Sequence, residues 1–435
     1  MKGKKYLSFF LLVLLLTGGC TFQRGNAGER EQIRSMASTE ETESQKAPEC
    51  ESERMQEETE YGRMELEEAK EPEVPAENTE EENIKELLNQ MSVEEKAAQL
   101  FVILPEALVD GVYTVTRAGE MTKEAIGAFP VGGLIYMERN LQSAEQVKEM
   151  LGNVQAYSME RIGLPAFLCV DEEGGSVAKF SGEERFGIAG IESMAEIGQS
   201  QEIQKAAQIG NTIGAYLSEL GFNVDFAPVA DVLSNPENEV VKTRSFGSDP
   251  ELVSHMAIAV AQGLEENGVF AVYKHFPGHG MTAGDTHAGY AYSDKTLEEA
   301  EACELVPFQK GIESGASFIM AGHISLPQIT GEDTPSSLSE YMILDLLRGK
   351  MGYDGIVITD AMNMGAIVQQ YSSAEAAVKA IAAGADLILM PKDFKEAYAG
   401  VIEAIQNGTL SIERIDESLE RIIKVKLKMK GRDAQ

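Results

Sequence analysis

Short apolar runs rich in branched and aromatic residues alternate with longer amphipathic stretches from Asn83 onward, and this alternation constrains the fold more than any other feature of the chain. Such alternation is typical of βα units, which build a parallel sheet. Amphipathic stretches such as Ile203 to Leu220 and Leu252 to Asn267 are long enough for crossover helices. The strand-like runs are eight: 100–103, 133–136, 166–170, 224–229, 269–273, 318–321, 355–358 and 387–390. The sequence therefore predicts an α/β fold, a closed TIM-like (β/α)8 barrel over residues 83–435, in which Pro228 makes the fourth strand irregular.

Polar residues collect where the predicted strands end. In a barrel these positions meet at one rim, where the βα loops build active sites. They are Asp171 to Gly175, Asp231, Lys274, His275, His323 and Asp360. An alternative for Asp231 is that it only caps the next helix. The Glu-Glu-Gly-Gly turn is a poor phosphate cradle, because adjacent carboxylates repel phosphate.

A histidine-rich turn follows the fifth run. The segment from Lys274 to His287 holds three of the five histidines in the chain. Asp285 and His287 are two residues apart in an extended stretch, so both project to the same side and the carboxylate can orient the imidazole. Structural histidines and a metal site are the alternatives, but the spacing, three and then seven residues between histidines, matches no metal-ligand signature.

The first twenty residues are typical of a secretory signal peptide. A basic start, Met1 to Lys5, precedes an apolar run from Leu7 to Leu16 that is too short to span a bilayer. The run leads to Cys20 in a pattern that resembles a bacterial lipobox, so we expect Cys20 to be lipidated and the protein to be anchored outside the cytoplasmic membrane. Thr17 stands where Leu is usual, which leaves secretion and an uncleaved anchor as alternatives.

Residues 21–82 are rich in Glu, Ser, Thr and Gln and nearly free of branched aliphatic side chains. Such a segment buries too little apolar surface to offset ordering, so it is predicted to be a disordered acidic tether. The net charge of −34 disfavours nucleic acid as a partner. Cys169 lies in an apolar strand and Cys303 in a predicted helix, and both are expected to be buried thiols.

Three segments taken together resemble a known family. They are Lys274 to His287, Val170 to Gly175 upstream, and Ile358 to Met364 downstream. In order and at strand ends, they are similar to those of glycoside hydrolase family 3, in the branch of β-N-acetylhexosaminidases of the NagZ type.

This resemblance implies the roles of individual residues. Asp360 would be the nucleophile, and His287, assisted by Asp285, the general acid/base. The residues implied to bind the sugar are Asp171, Lys179, Arg244, Lys274 and His275. Lys179 stands where the family commonly has Arg, and a lysine cannot offer the planar fork of a guanidinium.

The chemistry agrees with these roles. Glycoside cleavage needs one group at the anomeric carbon and another that protonates the leaving oxygen. With an ordinary pKa of about 6.5, a histidine can donate and then accept a proton near neutral pH. The resemblance thus implies retaining hydrolysis of terminal β-linked N-acetylglucosamine, without a metal or an organic cofactor.

The tether suggests peptidoglycan fragments, muropeptides, as the substrate. Phosphorolysis and β-glucosidase activity are alternatives within the family. An inactive, lipid-anchored sugar-binding protein is the alternative from another class.

Overall fold

A computed structural model describes residues 79–109, 111–283, 289 and 291–432 of the chain, with side chains to residue 430. The predicted signal peptide with Cys20, nearly all of the predicted tether, and the Asp285–His287 pair lie outside these residues. The described residues form a ring of parallel strands surrounded by helices. This is the (β/α)8 barrel that the eight apolar runs predict.

Each of the eight runs overlaps a strand of the main sheet, and two further short strands pair with each other outside it. In chain order the strands are β1 (Phe101–Ile103), β2 (Gly133–Ile135), β3 (Phe167–Val170), β4 (Val224–Asp225), β5 (Phe270–Phe276), β6 (Ala291–Tyr292), β7 (Phe318–Ala321), β8 (Ile324–Ser325), β9 (Ile356–Thr359) and β10 (Ile388–Leu389). The main sheet has the order β10-β1-β2-β3-β4-β5-β7-β9, and the separate pair is β6 with β8.

The two edges of the main sheet meet and close the ring. On one side β10 pairs in parallel with β1, with Ile388 opposite Phe101. On the other side, Ile358 of β9 forms a parallel bridge with Leu387, and the Thr359 N–H donates to the Leu387 carbonyl at 3.0 Å. Closure leaves the main sheet without an open edge.

Helices connect the strands and cover the outside of the ring. The α-helices are α1 (Glu80–Gln90), α2 (Val93–Gln99), α3 (Pro105–Leu108), α4 (Glu120–Ala128), α5 (Ala144–Ile162), α6 (Met194–Ser200), α7 (Ile203–Leu220), α8 (Pro250–Glu266), α9 (Leu297–Glu301), α10 (Val306–Glu313), α11 (Pro327–Thr330), α12 (Gly365–Val368), α13 (Ser373–Ala382), α14 (Phe394–Gln406) and α15 (Ile412–Arg432). Shorter 3₁₀ turns span Glu138–Asn140, His279–Met281 and Ser336–Leu338, and Tyr341–Lys350 is π-helical. No helix in the described part of the chain is long and apolar enough to cross a membrane.

The first helix begins before Asn83, where the sequence predicts that the tether gives way to the barrel domain. Thr79 and Glu82 form a capping box, in which the Thr79 N–H donates to the Glu82 carboxylate at 2.9 Å and the Glu82 N–H donates to Oγ1 of Thr79 at 3.3 Å. These bonds satisfy two N–H groups that a helix start leaves without partners. As a result α1 starts at Glu80, within the last residues of the predicted tether.

The two predicted crossover helices are present as α7 and α8, and they pack closely against each other. A Cβ atom at Gly210 would lie 2.2 Å from the Val260 carbonyl oxygen, and one at Gly263 would lie 2.4 Å from the Asn211 nitrogen. The absence of side chains at these two glycines therefore sets how closely the helices approach.

The barrel interior is filled by side chains from neighbouring strands and from strands on different sides of the ring. Phe167 of β3 and Phe318 of β7 meet edge to face at 5.4 Å, and Phe270 of β5 lies 6.0 Å from Phe318. The strands read as continuous apolar runs because both faces of a parallel barrel sheet are buried.

Two strands depart from the predicted boundaries. As Pro228 predicts, the fourth strand is short: β4 ends at Asp225, because a proline has no N–H to donate to the neighbouring strand. The fifth was predicted to end at Tyr273, whereas β5 continues to Phe276. Pairing persists because the Ala230 N–H donates to the Lys274 carbonyl at 2.6 Å. Lys274 therefore belongs to the strand rather than to the following turn.

The two thiols in the described residues differ in exposure. Cys169 is buried in β3, as predicted, and burial raises the pKa of its thiol well above the ordinary value. The prediction for Cys303 was wrong, because this residue lies half-buried in the turn between α9 and α10 rather than buried within a helix.

Candidate active site

A cavity of about 600 Å³ opens at the carboxyl ends of the strands. Every described residue that the sequence predicts to act on the sugar lines it: Asp171, Lys179, Arg244, Lys274, His275 and Asp360. Asp171 follows β3 directly and Asp360 follows β9, whereas Lys274 and His275 lie near the carboxyl end of β5. The barrel thus brings together residues that are up to 189 positions apart in the chain.

Lys274 and Arg244 share one buried carboxylate, that of Glu173. The Lys274 ammonium lies 2.7 Å from Oε1 of Glu173 and 2.9 Å from Oδ1 of Asp171. The Arg244 guanidinium binds both Glu173 oxygens, at 2.7 and 2.6 Å. Such a bidentate pair fixes the plane of the guanidinium as well as its position.

The charges of this network stabilise one another. Burial acts to raise the pKa of Glu173, but Lys274 and Arg244 outweigh it and lower the pKa to about 2. Burial likewise acts to lower the pKa of Lys274, and Asp171 and Glu173 raise it above its ordinary value instead. Glu173, Lys274 and Arg244 are therefore all ionised at neutral pH, although burying charged groups normally costs free energy.

Asp231 holds the side chain of His275 in place. Its Oδ2 lies 2.7 Å from Nδ1 of His275, and its Oδ1 accepts the backbone N–H groups of His275 and His279 at 3.0 and 2.6 Å. Burial acts to raise the pKa of Asp231, but His275 lowers it below the ordinary value. Because an ionised carboxylate only accepts, Nδ1 of His275 carries the proton, and Nε2 is left facing Arg244 at 3.5 Å.

Asp360 is held in the ionised form that a nucleophile needs. Burial acts to raise the pKa of Asp360, but His323, His275, the Ala361 N–H and Lys274 together lower it below its ordinary value. The Ala361 N–H donates to Oδ1 of Asp360 at 2.7 Å and so fixes the orientation of the carboxylate. An anionic oxygen is therefore presented to the cavity.

Glu172 positions the segment that carries Lys179. Its buried carboxylate accepts the N–H groups of Phe180 and Ser181 at 3.1 and 2.9 Å and the hydroxyl of Tyr216 at 2.8 Å. The Lys179 N–H also donates to it, at 2.5 Å. The segment after the third strand is thereby tied back to the strand end, with the Lys179 side chain lining the cavity.

Two histidines outside the predicted catalytic set have different surroundings. His279 hydrogen-bonds within its loop through its backbone and through Nδ1, which lies 3.0 Å from Oγ1 of Thr282, and the residue also lines the cavity. His323 was expected to line the pocket and does not. It is fully buried, and its Nε2 lies 3.0 Å from the carbonyl of Ala361, the residue that follows the predicted nucleophile Asp360.

Sequence reasoning missed Glu173 and left Asp231 undecided. Asp171, two residues earlier, was assigned from the family resemblance, and nothing in the sequence indicates that Glu173 faces two cations. Asp231 caps no helix: the next α-helix, α8, begins at Pro250 and is capped by Asp249. The signal for Asp231 was its position after the fourth strand.

Comparisons with known proteins agree with this geometry. The family model described as glycosyl hydrolase family 3 N terminal domain matches residues 92–425. Beta-hexosaminidase A of Pseudoalteromonas piscicida is 32% identical over 327 residues, which are 70% of this chain and 55% of that protein. Beta-hexosaminidase LpqI of Mycobacterium tuberculosis is 36% identical over 272 residues, 60% of this chain and 68% of that protein.

The fold is also similar to solved structures. A glycoside hydrolase family 3 β-N-acetylglucosaminidase from Paenibacillus sp. str. FPU-7 is 33% identical, with a TM-score of 0.73 over 79% of this chain and 64% of that one. This chain thus spans little more than half the length of Beta-hexosaminidase A and about two thirds of the Paenibacillus structure. The family match covers most of the barrel, and the chain therefore belongs to glycosyl hydrolase family 3.

Proposed function

We propose that the protein is a retaining exo-β-N-acetylglucosaminidase that releases terminal β-linked N-acetylglucosamine. The observation that carries the proposal is the ionised Asp360 carboxylate, which faces a sugar-sized cavity opposite a network of buried hydrogen-bond donors. Relatives named as hexosaminidases and a related N-acetylglucosaminidase structure support it.

In the first step, an oxygen of Asp360 attacks the anomeric carbon and forms a glycosyl ester as the bond to the aglycone oxygen breaks. The hydrogen bond from Ala361 and the nearby cation of Lys274 keep the carboxylate ionised and oriented before the attack. Water then attacks the same carbon from the face that the aglycone left, and the ester bond to Asp360 breaks, so the carboxylate is restored and the sugar leaves with its original configuration.

The proton transfers belong to His287 and Asp285 in this proposal. His287 protonates the departing oxygen and then removes a proton from the incoming water. Asp285 orients the imidazole and stabilises its charged form. Both residues lie outside the described part of the chain, so their assignment rests on the sequence motif that includes Lys274 and His275.

The charged network is suited to sugar hydroxyls. Asp171 is partly exposed to the cavity and can accept from a hydroxyl, and Lys274 and Arg244 can donate to one. Glu173 holds the two cations in place, which limits the entropy lost when the sugar binds. In the proposed complex Lys179 and His275 complete the ring of contacts.

We place the enzyme outside the cytoplasmic membrane, anchored through Cys20 and acting on peptidoglycan fragments. The basic start, the short apolar run and Cys20 support the anchor. The acidic segment that follows supports a spacer between the anchor and the barrel.

The proposal is tested by the hydrolysis of a chromogenic β-N-acetylglucosaminide and of purified muropeptides, with NMR of the anomer that forms first. The wild type should release β-configured N-acetylglucosamine, and Asp360→Asn should lose activity on the order of 10⁴-fold. Asp345→Asn, which removes an exposed carboxylate, is the matched control and should retain full activity.

Three other outcomes would change the assignment. Turnover that requires inorganic phosphate would indicate a phosphorylase, and a preference for β-glucosides would indicate a glucosidase. Saturable binding of N-acetylglucosamine without cleavage would indicate a sugar-binding protein.

A further inference from the structure

We propose that Nε2 of His279 is a direct hydrogen-bonding contact for a hydroxyl group of the sugar in the cavity. This contact is separate from those that the sequence motif assigns to Lys274 and His275. It deepens the proposed function and rests on it, because it names a specificity determinant of the same site.

Hydrogen bonds hold the backbone of His279 and one of its two ring nitrogens. Its backbone N–H donates to Oδ1 of Asp231 at 2.6 Å, and its carbonyl accepts from Nδ2 of Asn238 at 2.8 Å. Its Nδ1 lies 3.0 Å from Oγ1 of Thr282. The ring therefore has little freedom to turn toward another partner.

The remaining ring nitrogen has no such bond. Nε2 of His279 is buried and has no hydrogen-bond partner among the described residues, and His279 is one of the residues that line the cavity. A buried polar atom without a partner costs free energy, and native proteins seldom leave one. A ligand that enters the cavity can remove this cost.

The protonation of the ring selects the chemistry of the partner. Burial and the neighbouring His275 hold the pKa of His279 below its ordinary value, so the ring is neutral at neutral pH and carries one N–H. The Thr282 hydroxyl lies 2.9 Å from the His279 carbonyl and 3.0 Å from Nδ1, and its single proton can serve either. Nε2 is an acceptor in the first case and a donor in the second. A sugar hydroxyl fits both tautomers, because it both donates and accepts.

The location agrees with a contact near the reacting end of the sugar. The ring of His279 lies 5.7 Å from that of His275, in an edge-to-face arrangement. The charge of Asp360 also acts on His279. His279 thus lies beside His275 and within electrostatic range of Asp360, the predicted nucleophile.

Two substitutions separate the roles of the two ring nitrogens. In His279→Asn the amide can occupy the position of Nδ1 and keep the Thr282 contact, but it cannot reach the position of Nε2. In His279→Gln the longer side chain can reach that position. Because His255 is exposed on α8, His255→Asn is the matched control.

We expect His279→Asn to weaken binding of N-acetylglucosamine, measured by calorimetry, and to lower kcat/KM by about 10- to 100-fold, as loss of a buried hydrogen-bond partner does. His279→Gln should recover most of this loss, and His255→Asn should match the wild type. The urea midpoints of the variants should stay close to that of the wild type, since the ring contact with the ligand is absent in the free protein.

Deoxy substrates identify the contact. Chromogenic N-acetylglucosaminides that each lack the 3-, 4- or 6-hydroxyl should include one that the wild type and His279→Asn cleave at nearly equal rates, because the partner of Nε2 is already gone. The proposal would be overturned if His279→Asn were slower than the wild type by the same factor on all three analogues. Unchanged binding of N-acetylglucosamine in His279→Asn would also overturn it.

These results are distinct from a failure of the proposed function. If the wild type binds N-acetylglucosamine but cleaves no glycoside, the enzyme assignment fails and calorimetry with the variants still decides the role of His279. If the wild type binds no N-acetylglucosamine, both are overturned.

Discussion

Replacing Glu173 with glutamine removes the one carboxylate that Lys274 and Arg244 share. Glu173 is 4% exposed, so water cannot take over its role. In Glu173→Gln the guanidinium loses both of its charged contacts, and the ammonium keeps only Asp171, at 2.9 Å. We expect the variant to be less stable and to hold both cations less firmly.

The size of the effect follows from the pKa of Glu173, which is lowered from 4.5 to about 2. Because one pH unit of pKa difference is worth about 1.4 kcal/mol, the ionised side chain stabilises the fold by about 3 kcal/mol at neutral pH. Removing one partner of a buried ion pair costs about 3–5 kcal/mol, which agrees. The pKa is depressed, so this stabilisation is fully present above pH 4.5 and is lost as the pH falls toward 2.

Urea unfolding of the wild type and of Glu173→Gln at pH 7 and pH 3 measures the effect. The difference in the free energy of unfolding should be about 3 kcal/mol at pH 7 and about half of that at pH 3. Glu183→Gln is the control, because the side chain of Glu183 is 43% exposed and pairs with Arg185 at 3.5 Å. It should change the stability by less than about 0.5 kcal/mol.

Activity is the second measurement on the same variant. We expect kcat/KM to fall about 100-fold, since a small misplacement of binding groups costs that much. A Glu173→Gln protein that unfolds within about 1 kcal/mol of the wild type at pH 7 would refute the reasoning about the shared carboxylate.

Three further substitutions test other parts of the structure. Asp231→Asn should lower kcat/KM about 10- to 100-fold, because an amide no longer fixes the tautomer of His275; unchanged kinetics would contradict this. Gly175→Ala should lower the free energy of unfolding in urea by about 1–3 kcal/mol, because φ is +57° and a Cβ would lie 2.8 Å from the Ser193 Cα; an unchanged midpoint would argue against strain. Burial lowers the pKa of Lys426 to about 7. Between pH 7 and 10 only the unfolded chain keeps this proton, so the free energy of unfolding of the wild type should rise with pH, and Lys426→Met should lose this rise. Urea unfolding that depends on pH in the same way for both proteins would contradict the prediction.

The barrel was predictable because its strands are buried on both faces. Burial from two sides demands continuous apolar runs, and each of the eight runs overlaps a strand of the main sheet. The position of Asp360 was predictable for a related reason. A polar residue directly after such a run is carried to the rim of the barrel, whatever the details of packing.

Pairing between segments was decided by the tertiary structure. Glu173 meets Arg244 across 71 residues of chain, and Lys426 enters the amino end of the barrel to donate to Gln99 across 327. No local pattern records such partners, since a side chain's type and spacing fix its own strand or helix but not which residue lies opposite.

The sequence alone thus determined the order of strands and helices, the residues at the strand ends, and the family they resemble. Only the tertiary structure decided that one carboxylate holds two cations, that Asp231 serves His275 rather than a helix, and that His279 lines the cavity with Nε2 unpaired among the described residues. The physical reason is that burial acts on each segment by itself, whereas hydrogen bonds and ion pairs depend on distances between segments that exist only after the ring has closed.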